Sequence, residues 1–206
     1  MYKDITGIIL AGGKSRRMGE DKALIKILDL TAIEIVYEKL KSLFYEILVI
    51  TNQPDKFSFL NVKAYEDVYR NIGPLAGIHS GLAHSSNKFN FFISCDMVLM
   101  KKEIIEFIVN RKFEKNIIVP RVYDTLQPLC AVYSKNCIST IESMIEANIR
   151  SNQLELNSPL RLIEVMDTEI VEITQNQDNY FNPFFSMNDK KDYQKVIDIF
   201  LSQQYL

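Results

Sequence analysis

Short apolar runs alternate with longer amphipathic stretches along this chain. Ile8-Ile9-Leu10 closes the first run, and residues 6–10 read as a buried strand. Thr31 offers a helix N-cap. After it Ile33, Val36, Tyr37, Leu40, Leu43 and Phe44 recur at helical spacing, predicting a helix with one apolar stripe. Residues 47–51 (ILVIT) form a continuous β-branched run bounded by Asn52-Gln53-Pro54, as in a buried parallel strand that ends in a turn. Residues 62–65 predict a shorter strand ending at Glu66-Asp67. Pro74 is placed to open a helix over 75–85. Residues 89–95 (FNFFISC) predict a central strand that stops at Asp96.

The same reading continues with a helix over 103–112, strands over 117–120 and 129–133, and a helix over 135–147. A polar connecting loop is expected over 148–159, strands over 162–166 and 169–173, and a polar turn over 175–180. Asp189 caps a last helix, where Tyr193, Val196, Ile197, Phe200 and Leu201 fall on one face. Strand–helix alternation of this kind argues for one α/β domain, 1–206, around a mainly parallel sheet. Ligands of such sheets sit beyond the carboxyl ends of the strands. The polar groups expected at that rim are Gly12-Gly13, Asn52, Asp67 and Asp96, one set for each of four successive strands.

Composition narrows the choice of ligand. With 206 residues, 47% of them hydrophobic and 24% charged, the chain can build an ordinary core. A net charge of −2 gives no bulk attraction to nucleic acid or to a membrane surface. No apolar run has the length of a membrane span, and the N-terminus has no signal-peptide pattern, so a cytoplasmic protein is expected. Cys95, Cys130 and Cys137 lack metal-site spacing and read as reduced thiols, while His79 and His84 suit helix packing or the surface.

Anion binding must therefore come from local clustering, and the densest basic cluster is Lys14, Arg16, Arg17 and Lys22, between Gly12-Gly13 and the residues after Gly19. A strand running into a loop rich in glycine and cations outlines a phosphate cradle: backbone N–H groups approach the anion closely and the cations neutralise it. Neither the Walker spacing nor G-x-G-x-x-G is present. The alternative is a strand–turn–helix corner with solvated basic residues. Asp96, just past a hydrophobic strand, can hold Mg²⁺ against a triphosphate, or can cap the following segment. No Ser/His/Asp or Cys/His set is identifiable.

The stretch LAGGKSRRMGEDKALI resembles the LAGGxSxRMGxxK signature of MobA-type nucleotidyltransferases, the molybdenum cofactor guanylyltransferases. The resemblance implies a Rossmann-like three-layer fold of the nucleotide-diphospho-sugar-transferase type. It implies Mg²⁺ as cofactor, GTP and molybdopterin as substrates, and a cytoplasmic monomer making transient contacts with cofactor-biosynthesis or acceptor enzymes. Leu10, Ala11, Gly12 and Gly13 would cradle GTP, and Lys22 and Arg16 would neutralise its phosphates. Asn52 and Asp67 would place the nucleoside, helped by Gly73, Pro74 and Leu75, since NIGPLAGI matches the family's GPLAG motif. A carboxylate at Asp67 suits the paired N–H donors of guanine, which adenine lacks. FISCD puts Asp96 in the place of the family's metal-binding aspartate, although Met97 and Val98 stand where the family often has a proline. Gln127-Pro128-Leu129 resembles a segment near the second substrate. The family's C-terminal N-x-N-T-P-E-D pattern, expected on the pterin side, is reduced to Ser186 and Asn188. Two alternatives remain. One is a cytidylyltransferase of the same cofactor or a transferase with another phosphorylated acceptor. The other is a non-catalytic nucleotide-binding or delivery protein.

Overall fold

The structure is a computed structural model that describes residues 1–12, 21–174 and 182–202. Its backbone follows the alternation in the sequence. Strand β1 (Tyr2–Leu10) leads through a 3₁₀ turn, Lys22–Leu24, into a small hairpin, β2 (Lys26–Ile27) and β3 (Leu30–Thr31). Helix α1 (Ala32–Lys41) precedes β4 (Phe44–Ile50), β5 (Lys63–Tyr65) and α2 (Pro74–His84). Then come β6 (Phe89–Ser94), α3 (Lys102–Val109), β7 (Ile117–Val122), β8 (Thr125–Leu126) and β9 (Cys130–Ser134). The rest is α4 (Ile138–Arg150), α5 (Pro159–Val165), β10 (Thr168–Glu172) and α6 (Lys190–Leu201).

The main sheet has the order β10-β7-β9-β6-β1-β4-β5, with β8 added to β7. Only β9 and β8 run against their neighbours; the remaining pairs are parallel. The two-residue period of a strand divides its apolar side chains between the sheet faces. Ile5, Ile9, Val49, Phe91 and Ile93 join one buried cluster with Ile33, Val36 and Leu40 of α1, Ile105 and Ile108 of α3, and Val196 of α6. Ile8, Leu10, Leu48, Ile50 and Phe92 join the other with Leu75, Ile78 and Leu82 of α2, Ile141 and Ile145 of α4, and Leu162 of α5. Three layers follow, and β1 sits between β6 and β4 in the middle one.

Several expectations shift. The first strand begins at Tyr2 rather than residue 6, because Tyr2 N–H donates to the Leu43 carbonyl at 2.6 Å. Leu43 and Phe44 leave the expected helical stripe: α1 ends at Lys41, and Phe44 opens β4. The strand expected over 162–166 is instead part of α5, where Ser158 caps the Leu160 N–H and Pro159 takes the first helical position. A short apolar run does not by itself distinguish a strand from a helix. The β2–β3 and β7–β8 hairpins were not expected. Their turns place Leu28, Tyr123 and Asp124 at positive φ, with no glycine to announce them. The turn expected over 175–180 lies outside the described residues.

Candidate functional site

Leu10 is hydrogen-bonded into the ends of two neighbouring strands. It pairs in register with Ile50 and Ser94; the Ala11 N–H donates to Ile50 at 2.8 Å, and Cys95 N–H donates to Leu10 at 3.1 Å. Leu10 and Ala11 are buried, and Gly12 is the first exposed residue beyond the sheet. Gly13 and Arg16 lie outside the described residues, as do Lys14, Arg17 and Gly19.

One polar group collects on the β4–β5 side of Gly12. A Cβ built at Gly12 would lie 3.9 Å from Asn52 Nδ2 and 4.0 Å from Asp67 Oδ2, so the glycine leaves a gap facing both side chains. A Cβ built at Gly77, in the first turns of α2, would lie 3.7 Å from Asp67 Oδ1. The helix reaches this point because Gly73, at φ 97°, turns the chain sharply and Pro74 starts the helix. Leu75 then anchors it in the core, fully buried. Asn52 hydrogen-bonds Asp67. The other carboxylate oxygen, Oδ1, is buried and has no hydrogen-bond partner among the described residues. Burial, only partly offset by Asn52, raises the Asp67 pKa above the usual carboxylate value.

A second group collects on the β6 side. Lys22 heads the 3₁₀ turn capped by Asp21, whose carboxylate accepts from Ala23 N–H at 3.2 Å and pairs with Lys56 at 3.6 Å. Asp21 is thus a half-buried cap. Lys22 Nζ lies 3.5 Å from Asp96 Oδ2 and 2.7 Å from Asn188 Oδ1. Asp96 is aimed by its neighbours: Ser94 Oγ donates to Oδ1 at 2.6 Å, and Met187 N–H donates to its carbonyl at 3.2 Å. It does not cap a helix, since α3 begins at Lys102 with Lys101 as N-cap. Asn188 is held by its own Nδ2 donating to Ser186 O and by Asp192, which accepts its N–H at 2.8 Å next to the α6 capping box.

Asn188 is the residue whose place the sequence did not reveal. The chain returns 166 residues after Lys22 to bring Asn188, of the altered C-terminal pattern, to that lysine. Gln127-Pro128-Leu129 enters β9; its Leu129 carbonyl accepts Ser94 N–H at 3.0 Å, which ties the segment to the strand carrying Asp96. Among the described residues, no group of three or more His, Cys, Asp or Glu side chains is arranged to hold a metal. The oxygens of Asp96 and Asn188 are hard donors of the kind Mg²⁺ takes, and so few of them suit a cation whose remaining ligands come from a phosphate substrate and water.

The chain is similar to known proteins over most of its length. The model of the MobA-like NTP transferase domain matches residues 7–158. A Clostridium perfringens protein named "Probable molybdenum cofactor guanylyltransferase" is 33% identical over 190 residues, covering 92% of this chain and 94% of that one. The "Molybdenum cofactor guanylyltransferase" of Desulfosudis oleivorans is 34% identical over 67% of this chain and 69% of its own. The solved molybdopterin-guanine dinucleotide biosynthesis protein A of Archaeoglobus fulgidus superposes with a TM-score of 0.79 at 22% identity, over 96% of this chain and all of that one, and so shares the fold. With a parallel-sheet rim carrying Gly12, Asp67, Lys22 and Asp96, and with similarity along nearly its whole length, this chain belongs to the MobA-like NTP transferases, the family of the molybdenum cofactor guanylyltransferases.

Proposed function

We propose that this enzyme transfers GMP from GTP to the terminal phosphate of molybdopterin. An acceptor phosphate oxygen attacks the α-phosphorus in line, the bond to the β-phosphate oxygen breaks, and pyrophosphate leaves. The product is molybdopterin guanine dinucleotide. The observation that carries the guanine assignment is Asp67, whose Oδ2 faces the gap left by Gly12 and whose buried Oδ1, beside Gly77, has no hydrogen-bond partner among the described residues. A carboxylate there accepts from the N1–H and N2–H groups of guanine, and its desolvation is then compensated by two charge-assisted hydrogen bonds.

Gly12 and the residues leading to it present backbone to the nucleotide, Asn52 orients Asp67, and the α2 start at Gly73, Pro74 and Leu75 walls the base. Gly13 belongs with Gly12 in that backbone cradle, while Lys22 and Arg16 neutralise charge on the phosphates as pyrophosphate forms. Asp96 would hold Mg²⁺, with Asn188 Oδ1 beside it as a second protein oxygen, and the ion would supply positive charge against the triphosphate. Catalysis is positioning and charge compensation without a covalent enzyme intermediate. Free buried thiols at Cys95, Cys130 and Cys137 fit a reducing cytoplasm. No helix of the described residues is long and apolar enough to cross a membrane.

Calorimetric titration of GTP, CTP, ATP and UTP, with and without Mg²⁺, tests the reading. A preference for GTP that disappears in Asp67→Asn supports it. A CTP preference moves the chain to a cytidylyl transfer, and failure to bind any nucleotide removes the proposal altogether.

A further inference from the structure

The segment that follows Asp96 is irregular yet buried: Met97 is 4% exposed, and Val98, Leu99 and Met100 are fully enclosed. Backbone polar groups in such a segment need partners. Two are local, with Met97 N–H donating to Ser94 and Met100 N–H to Met97, both at 3.1 Å. The Val98 carbonyl is met from a distant element. Lys39 Nζ, 59 residues earlier in the last turn of α1, donates to it at 2.5 Å.

The same helix also supports the other half of the site. Helix α1 packs against the 3₁₀ turn that carries Lys22, and at its start Ala32 N–H donates to Ile25, just beyond that turn, at 2.9 Å. One rigid helix thus touches the Lys22 segment at its start and the Asp96 segment near its end. A cation is an expensive choice for this strut. Burial, then the nearby Lys102, push the Lys39 amine down to about 7. An apolar side chain would avoid that cost but would leave the Val98 carbonyl without this donor.

We propose that Lys39 is a positioning residue for nucleotidyl transfer, pinning the Val98 carbonyl to α1 so that Asp96 is held at a set distance from Lys22 and Asn188. The inference rests on the reading that Asp96 holds the cation, and it assigns to Lys39 no contact with substrate. An outer-shell group of this kind acts on how well the carboxylate is presented, which is read in cation affinity and turnover and not in recognition of the base.

The test compares wild type with Lys39→Met, which keeps length and tolerates burial, and Lys39→Arg, which restores a donor. Mn²⁺ binding is followed by electron paramagnetic resonance with GTP present, beside steady-state kinetics and thermal melts. Lys39→Met is expected to weaken Mn²⁺ binding and lower kcat by about tenfold each, with KM for GTP within about twofold. Lys39→Arg should recover most of both. Lys39→Leu, which has no hydrogen-bond donor, serves as a second donor-deleted variant should the methionine protein not fold. A folded donor-deleted variant with wild-type Mn²⁺ binding and kcat overturns the proposal, as does a loss confined to melting temperature. Wild type that fails to bind Mn²⁺ with GTP would instead remove the assignment of Asp96, and Lys39 with it.

Discussion

The two sides of Gly12 solve opposite electrostatic problems. On the α2 side Asp67 is desolvated, has one oxygen without a partner among the described residues, and is relieved only in part by Asn52. On the β6 side Asp96, Lys22, Ser94 and Asn188 compensate one another. A group that must choose a base is kept in need of donors, so that only the right base satisfies it. Groups proposed to meet a highly charged triphosphate would be held in place by pairing with one another, without leaving a bare charge. On the proposed function, selection and transfer would be separated across one glycine, on opposite sides of the β1 end.

The largest expected effect breaks the transfer side alone. Asp96→Asn should lower turnover by at least about a hundredfold while GTP still binds with guanine preference; wild-type turnover at saturating Mg²⁺ would exclude the metal role. Next, Asp67→Asn should break the selection side alone. It should weaken GTP binding by about 1.5–3 kcal/mol and erase discrimination against ATP, measured by calorimetry. Because the folded pKa of Asp67 is raised, its contribution to stability is fully present below the unfolded value of about 4 and is lost as pH rises through the folded pKa. The asparagine variant should therefore melt at or above the wild-type temperature at pH 7, and that advantage should shrink as pH falls toward about 4. A variant that melts lower at pH 7 would show that Asp67 has a structural partner beyond Asn52.

A smaller effect sharpens the boundary between the two sides. Asn188→Ala should cut kcat by about tenfold and leave base preference unchanged, and altered preference would mean that the two sides are coupled. The smallest effect on chemistry is expected from the scaffold beneath both. A Cβ at Gly81 would lie 2.5 Å from Cε1 of Phe92 and 3.0 Å from Ile8 Cδ1. Gly81→Ala should therefore destabilise the fold by about 1–3 kcal/mol in denaturant melts, with kinetics at low temperature intact.

Much of this could be read in advance. The apolar run before Gly12, the strand ending at Asp96 and the GPLAG helix start all carry local signals: burial, punctuation by glycine and proline, and a carboxylate at a strand end. The reversed direction of β9 could not be read, because a fully buried strand looks alike in either sense. Nor could the two hairpins, whose turns lack glycine, or α5, whose short apolar run fits either period.

The sequence by itself determined the layers, the order of most elements and the four strand ends that make the rim, because those depend on periodicity and on residue types close together in the chain. Tertiary structure decided which side chains meet. It brought Asn188 to Lys22, set Lys39 beneath Val98, and left Asp67 Oδ1 buried beside Gly77. Each of these depends on distances between residues far apart in the chain, and on the removal of water from around them, and neither has a local signature in the order of residues.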